Sequence, residues 1–383
     1  MRNLGLDVLR TLAVVLVLGA HLELPDQANG FLRAWKHGGW VGVDLFFVLS
    51  GFLVSGLLFR EHRQTGSLRV TRFLIRRGFK IYPAFWVMLA VTIGLKLAGG
   101  KPIPGQALVG ELLFLQNYLG GLWNHTWSLA VEEHFYFGIG IFFGVRAFLR
   151  RGDPFTIVPR LFLVVACACQ ALRVANFWLF PEYSHGPWLF ATHIRIDSLL
   201  FGVLLSYLHA YGNLEGRLRA VPGWVLVTSG CVLLAPAFVF PLETHKWVPV
   251  FGVTLFYLGS GCLLLAALRI RTSRNPVLVL GGVLGGASYS MYLWHMPVNT
   301  WGTRLVAEGL GWTGFGPYLV TYLLGALGFG FLMSKLVEWP ALRWRDRWFP
   351  PGTSFRGATR EGDGRPALRG APGVTTSSRG DSR

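Results

Sequence analysis

Ten apolar runs, each close to the length of a bilayer crossing, follow one another along the chain: 6–24, 40–59, 81–99, 127–149, 157–179, 189–211, 222–240, 248–268, 277–301 and 318–337. A helix rises about 1.5 Å per residue, so roughly 20 residues cover the ~30 Å hydrocarbon layer. Inside that layer every backbone polar group must find its partner within the protein, which leaves helices for runs of this length. The expected fold class is all-α: a polytopic membrane protein of about ten transmembrane helices. Composition points the same way. Of 383 residues 52% are hydrophobic and 14% charged, whereas soluble domains carry about 25% charged residues. The segment 107–118 is apolar but too short to span, and fits an interfacial or re-entrant piece. Arg2 before the first run suggests a signal peptide, but Asp7 and Arg10 interrupt the run and no small-residue cleavage site follows.

Lysine and arginine gather in the connectors after runs 2, 4, 6 and 8. The intervening connectors hold Arg33, Lys36, Lys101, Lys246 and Arg304. Basic loops stay in the cytoplasm, so both termini are expected there. The net charge of +17 would suggest nucleic acid in a soluble chain. Here topology and anionic lipid account for it, and no nucleic-acid partner is expected. Residues 350–383 are dominated by Gly, Pro, Arg, Ser and Thr. They cannot bury a core, so the chain divides into a membrane domain, 1–349, and a disordered cytoplasmic tail. Cys167, Cys169, Cys231 and Cys262 lie inside apolar runs and read as small core residues.

Charged groups at membrane depth are costly and mark function by default. Counting along alternating runs places His21, Asp44, Glu132, Glu133, Arg195, Asp197 and His295 in one layer in the outer half of the bilayer. Arg10 falls near the cytoplasmic face, about 16 Å along the helix from His21. Arg195 and Asp197 serve equally well as a tie between helices, and His21 as an interfacial histidine in contact with water. A second group is basic. Arg72, Arg76 and Lys80 line one helical face, with Arg77 beside them. Guanidinium forks suit phosphate, although ordinary cytoplasmic anchoring also places basic residues here. Trp40, Trp123, Trp127, Trp188 and Trp301 stand near run ends, as an interfacial belt does. Gly281-Gly282 and Gly285-Gly286 have the spacing of close helix packing. Phosphate-loop, nucleophile-elbow and zinc-protease signatures are missing. Nothing in the spacing requires a metal site built from His21, His295 and a glutamate, and no metal is expected.

The segments LDVLRTLAVVLVLGAH (6–21), GVDLFFVLSGFLVS (42–55), RFLIRRGFKIYPAF (72–85), TWSLAVEEHFYF (126–137), RIDSLLFG (195–202), ASYSMYLWHMPV (287–298) and VEWP (337–340) resemble, in order, the motifs of the acyltransferase-3 family of integral-membrane acyltransferases. The resemblance covers residues 6 to about 340. It implies a multi-pass protein of a bacterial-type inner (cytoplasmic) membrane that moves an acyl group, usually acetyl, from acyl-CoA to a hydroxyl. Family acceptors include surface polysaccharides, peptidoglycan, lipo-oligosaccharides and macrolides. No hydrolase-like domain of the SGNH type follows the last run, so a stand-alone member is expected. The family's Arg–x10–His pair falls on Arg10 and His21, and its basic motif on Arg76, Arg77 and Lys80. The third position is more often arginine in the family, and lysine keeps the charge without the bidentate fork. Ser50, Ser288 and Tyr292 lie within matching motifs and join Asp44, Arg195, Asp197 and His295 as candidate substrate or structural residues.

The expected mechanism places the phosphates of acyl-CoA on Arg72, Arg76, Arg77 and Lys80, with Arg10 at the mouth. His21 serves as general base on the acceptor hydroxyl or as a transient acyl carrier. Glu133 or Glu132 orients its imidazole. The acceptor is expected to be a glycan reached from outside, and acyl-CoA, acceptor and lipid bilayer are the partners. Two other readings use the same residues. One acylates a macrolide-like alcohol at the inner face. The other is a proton-coupled transporter, against which runs 1–5 and 6–10 show no convincing repeat.

Overall fold

A computed structural model describes residues 3–149 and 152–350, and within them the chain is helical without strands. The helices are α1 (Leu4–Ala20), α2 (Gly30–Gly38), α3 (Gly42–Thr65), α4 (Val70–Ala98), α5 (Gly105–Leu112), α6 (Gln116–Leu119), α7 (Trp127–Leu149), α8 (Val158–Leu179), α9 (Ile196–Tyr211), α10 (Leu214–Leu218), α11 (Gly223–Val239), α12 (Val253–Ala267), α13 (Pro276–Gly286), α14 (Ser288–Pro297), α15 (Thr303–Leu310), α16 (Phe315–Met333) and α17 (Trp339–Trp348). The tail expected from 350 onward lies, after Pro350, outside the described residues.

Five helical segments are long and apolar enough to cross a membrane: Gly30–Thr65, Val70–Ala98, Pro154–Leu179, Val248–Ala267 and Phe315–Trp348. A sixth is counted if α13 and the helix that follows it, bent by 71° at Ala287, form one span. All ten apolar runs are largely helical, but α1, α9 and α11 have only 16 or 17 residues, about one turn short of a full crossing. Helix α7 has the length but carries Glu132, Glu133 and His134 near its start. The second run begins ten residues earlier than its apolar pattern, with α2, where Arg33, Lys36 and His37 break the hydrophobicity without breaking the helix. Segment 107–118 forms α5 and α6, separated by a turn in which Phe114 adopts a left-handed φ of 55°. Two short helices replace a span there.

Close crossings decide which residues meet. Helix α3 lies along α9 at a mutual glycine contact: a Cβ on Gly51 would stand 1.9 Å from the Leu199 carbonyl oxygen, and one on Gly202 2.2 Å from that of Val48. That approach brings Asp44 of α3 to Arg195 at the start of α9. Helix α13 meets α1 in the same way, since a Cβ on Gly285 would fall 1.8 Å from the Asp7 carbonyl oxygen. The glycine spacing read from the sequence is thus a packing device, and the chain kinks directly after it. Helix α1 starts on an Asn3 side-chain cap that accepts from Leu6 N–H and ends at His21, whose backbone leaves helical geometry. His21 therefore sits where α1 opens into the loop toward α2.

Candidate active site

Two cavities in the bundle share part of their lining. The first has a cavity volume of about 130 Å³. Arg10, Arg77 and Lys80 stand on its wall with Ser50, Glu132 and Tyr136, and the remainder is mostly apolar. The second is lined by His21, His125, Trp40, Trp127, Lys36 and Glu243, among others. Val43 and Tyr292 belong to both.

The ten-residue spacer puts Arg10 and His21 three turns apart on α1, so one helix supplies a cation to the first cavity and an imidazole to the second. Nδ1 of His21 lies 2.9 Å from the Val17 carbonyl oxygen. A carbonyl only accepts, so Nδ1 carries the proton and donates it, and in the neutral ring Nε2 keeps its lone pair. No described residue bonds to that Nε2. His295 is held the same way, its Nδ1 donating to the Tyr292 carbonyl at 2.5 Å. Its Nε2 then faces His21 Nδ1 at 3.3 Å. A third histidine, His125, packs edge-on to His295 with centroids 4.8 Å apart, as His21 does from the other side. Asn299 donates to the His21 carbonyl at 2.8 Å and fixes the helix end from α14's continuation.

The two glutamates do not reach His21, which corrects the expected carboxylate–histidine pair. Successive residues on a helix diverge by about 100°, and here they serve different neighbours. Glu132 turns to α3 and the first cavity, where Oε2 accepts from Tyr136 at 2.5 Å and from Ser50 at 3.3 Å. Ser50 and Tyr136 also bond to each other. Glu133 turns to α4 and accepts from the Tyr82 hydroxyl at 2.7 Å. The partner of His21 is His295.

The basic motif divides similarly. Arg77 enters the first cavity and stacks over the Tyr136 ring, 4.3 Å from its centroid. Lys80 reaches the cavity wall and is paired with Glu338, a carboxylate that also accepts from Ser290 at 2.7 Å and Ser334 at 3.3 Å. Arg10 is paired with Asp7 at 2.7 Å. Arg72 and Arg76, expected beside them on a phosphate-binding face, point instead to the chain's far end. Arg76 pairs with Asp346 at 3.1 Å and donates to the Phe349 carbonyl, and Arg72 donates to that of Pro350. One face of α4 is covered by α17, and only its neighbouring face opens to the cavity.

The remaining members of the expected layer form buried ion pairs. Arg195 donates to Asp44 at 2.8 Å, and both are fully buried. Arg173 of α8 donates to Asp197, also at 2.8 Å, and further to the Ile194 carbonyl. These pairs tie α3, α8 and α9 together and touch neither histidine. Ser288 lines the first cavity, and the neighbouring Tyr289 donates to the Ile81 carbonyl at 2.8 Å. Tyr292 donates to the His125 carbonyl at 2.7 Å and lies 2.6 Å from Ser128 Oγ.

His125 is set by the loop after α6, and Glu111 anchors that loop. Its buried carboxylate accepts from Leu122 N–H at 2.9 Å, Thr126 Oγ1 at 3.0 Å and Trp123 N–H at 3.4 Å. Burial holds this carboxyl above its ordinary range despite these donors. His125, Arg173, Tyr82, Tyr136 and Glu338 escaped the sequence reading. For Tyr136 the available signal is its place four residues after Glu132, and for Glu338 its place inside the VEWP motif. Among the described residues no group of three His, Cys, Asp or Glu side chains has the arrangement of a metal site.

A family model described as an acyltransferase domain matches residues 3–349. A Staphylococcus aureus (strain MRSA252) protein, named for an inferred O-acetyltransferase activity, is 28% identical over 90% of this chain and 59% of its own length. The peptidoglycan O-acetyltransferase OatA of Listeria monocytogenes is 26% identical over 87% of this chain and 55% of its own. The O-acetyltransferase OatA of Staphylococcus aureus (strain NCTC 8325 / PS 47) is 26% identical over 80% and 52%. The chain thus spans a little over half the length of these relatives. No solved structure matches.

Proposed function

Because the chain belongs to this acyltransferase family, we propose that it is a multi-pass inner-membrane O-acyltransferase that moves an acetyl group from cytoplasmic acetyl-CoA to a hydroxyl of a carbohydrate or cell-surface glycan. The observation that carries this reading is the pair of cavities joined at Tyr292, with cations on the wall of one and the free Nε2 of His21 on the other. Relatives named O-acetyltransferases, one of them for peptidoglycan, support the group and the acceptor class. The ten-helix count with both termini in the cytoplasm belongs to this reading. It puts the mouth at Arg10 inside and the end of α1 at His21 outside, so a glycan is modified without moving CoA across.

The donor's phosphates meet Arg77 first, then Arg10 and Lys80, and its thioester extends toward Tyr292. His21 Nε2 takes the proton of the acceptor hydroxyl as the oxygen attacks the thioester carbonyl. The carbon–sulfur bond breaks, and the proton passes to the departing thiolate. His295 Nε2, by accepting from His21 Nδ1, keeps that ring in the tautomer the step needs and stabilises its cation, a role a carboxylate fills in other enzymes.

The test is purified protein with radiolabelled acetyl-CoA and an envelope-glycan extract. Label in the glycan with release of CoA is the expected result, and no turnover from folded protein with any acyl-CoA would reject it. In the same assay Arg77→Ala should raise KM for acetyl-CoA by roughly tenfold or more, the worth of a lost charge-assisted hydrogen bond, with a smaller change in kcat. An unchanged KM would return Arg77 to packing on Tyr136.

A further inference from the structure

Val43 and Tyr292 line both cavities, so the two cavities meet at these side chains. The Tyr292 ring is not free to swing. Its hydroxyl donates to the His125 carbonyl at 2.7 Å and accepts from Ser128 Oγ at 2.6 Å. Its ring is flanked by Phe46, His125 and His295, with centroids 5.6–5.8 Å away. Val43 is β-branched and 7% exposed, a side chain with little rotamer freedom on a helix. It stands one residue from Gly42, where a Cβ would fall 2.4 Å from the Ala13 carbonyl oxygen, so α3 packs closely on α1 there. A fixed phenol and a stiff isopropyl group thus stand on the lining that the two cavities share.

We propose that Val43 and Tyr292 form a size filter that admits a two-carbon acyl group to His21 and obstructs longer ones. The inference rests on the acyl-transfer reading and names the residues that set its donor specificity. Tyr292 and Val43 are positioning residues in this role. The acyl group must slip past them, whereas the pantetheine arm stays on the donor side.

The readout is a ratio, kcat/KM for butyryl-CoA over that for acetyl-CoA, which a merely structural role would leave in place. Val43→Ala removes two methyl groups from the passage and is expected to raise the ratio by roughly tenfold, the scale on which apolar pockets discriminate a methylene or two. Val43→Ile adds one carbon and is expected to lower it. The two variants bracket the wild type, so a loss of fold in one leaves the other decisive. A wild-type ratio in both, with acetyl transfer still measurable, would overturn the filter and leave the acyltransferase intact. A wild-type protein that transfers neither group would overturn both.

Discussion

His21→Ala protein is expected to insert and fold normally and to transfer acetyl groups at least roughly a hundred times more slowly than wild type. A positioned general base contributes about 10²–10⁴ to a rate, and no second base with a free ring nitrogen reaches the same point. His295 spends Nδ1 on the Tyr292 carbonyl and Nε2 on His21. His125 lines the same cavity, but its unpartnered Nδ1 is buried and closed to an acceptor hydroxyl. The cost to stability should be small, because the His21 side chain bonds only to the Val17 carbonyl and His295. Turnover by the purified variant, measured against its melting temperature in detergent, separates the two effects. Wild-type turnover would remove His21 from the chemistry.

Arg195→Met should act in the opposite sense, on folding. Arg195 and Asp44 are each 0% exposed and bonded at 2.8 Å. Removing the guanidinium leaves a carboxylate buried beside Trp127 and Phe47, whose rings now flank the cation at 5.7 and 5.6 Å. Breaking a buried pair from one side costs roughly 3–5 kcal/mol, whereas replacing both partners by apolar groups is often neutral. The single variant is therefore expected to yield little folded protein, and Asp44→Leu with Arg195→Met to recover much of it. Thermal melting of the three proteins checks this. Equal loss in single and double variants would mean that the charge pair has a role beyond neutralising itself.

Much of this architecture was legible in the residues. Apolar runs located the long helices, because hydrophobicity and helix length are coupled by the bilayer itself, and missed short ones such as α2, α10 and α17. The packing glycines were read from local spacing, and Arg10, His21 and His295 from depth along the runs together with the family resemblance. What stayed hidden depends on rotation about helix axes and on partners distant in sequence. Glu132 and Glu133 are adjacent in sequence and part company only once α3 and α4 are placed around α7. Arg72 and Arg76 look like Arg77 until α17 covers their face. Arg173 sits in an otherwise apolar run, 24 positions from Asp197, and nothing local announces that pairing. His125 follows a short turn whose shape comes from Glu111, an acid that looks solvent-facing in the chain. The break at Ala287 is a tertiary event too, for a continuous apolar run hides a 71° bend.

The pairing of Lys80 with Glu338 has a consequence for how a polyanion enters. Three cations line the donor cavity, but Lys80 already answers Glu338 and Arg10 already answers Asp7. Arg77 stacks on the face of Tyr136 and stands within electrostatic reach of Glu132 and Glu133, without a direct ion pair among the described residues. On the proposed donor reading, loading is an ion exchange: phosphate displaces a resident carboxylate, and the freed Glu338 keeps only its bonds from Ser290 and Ser334. The helix that begins at Trp339 is tethered to α4 through that carboxylate as well as through Arg76 and Asp346, so on that reading occupancy of the cavity and part of the grip on α17 are two sides of one equilibrium.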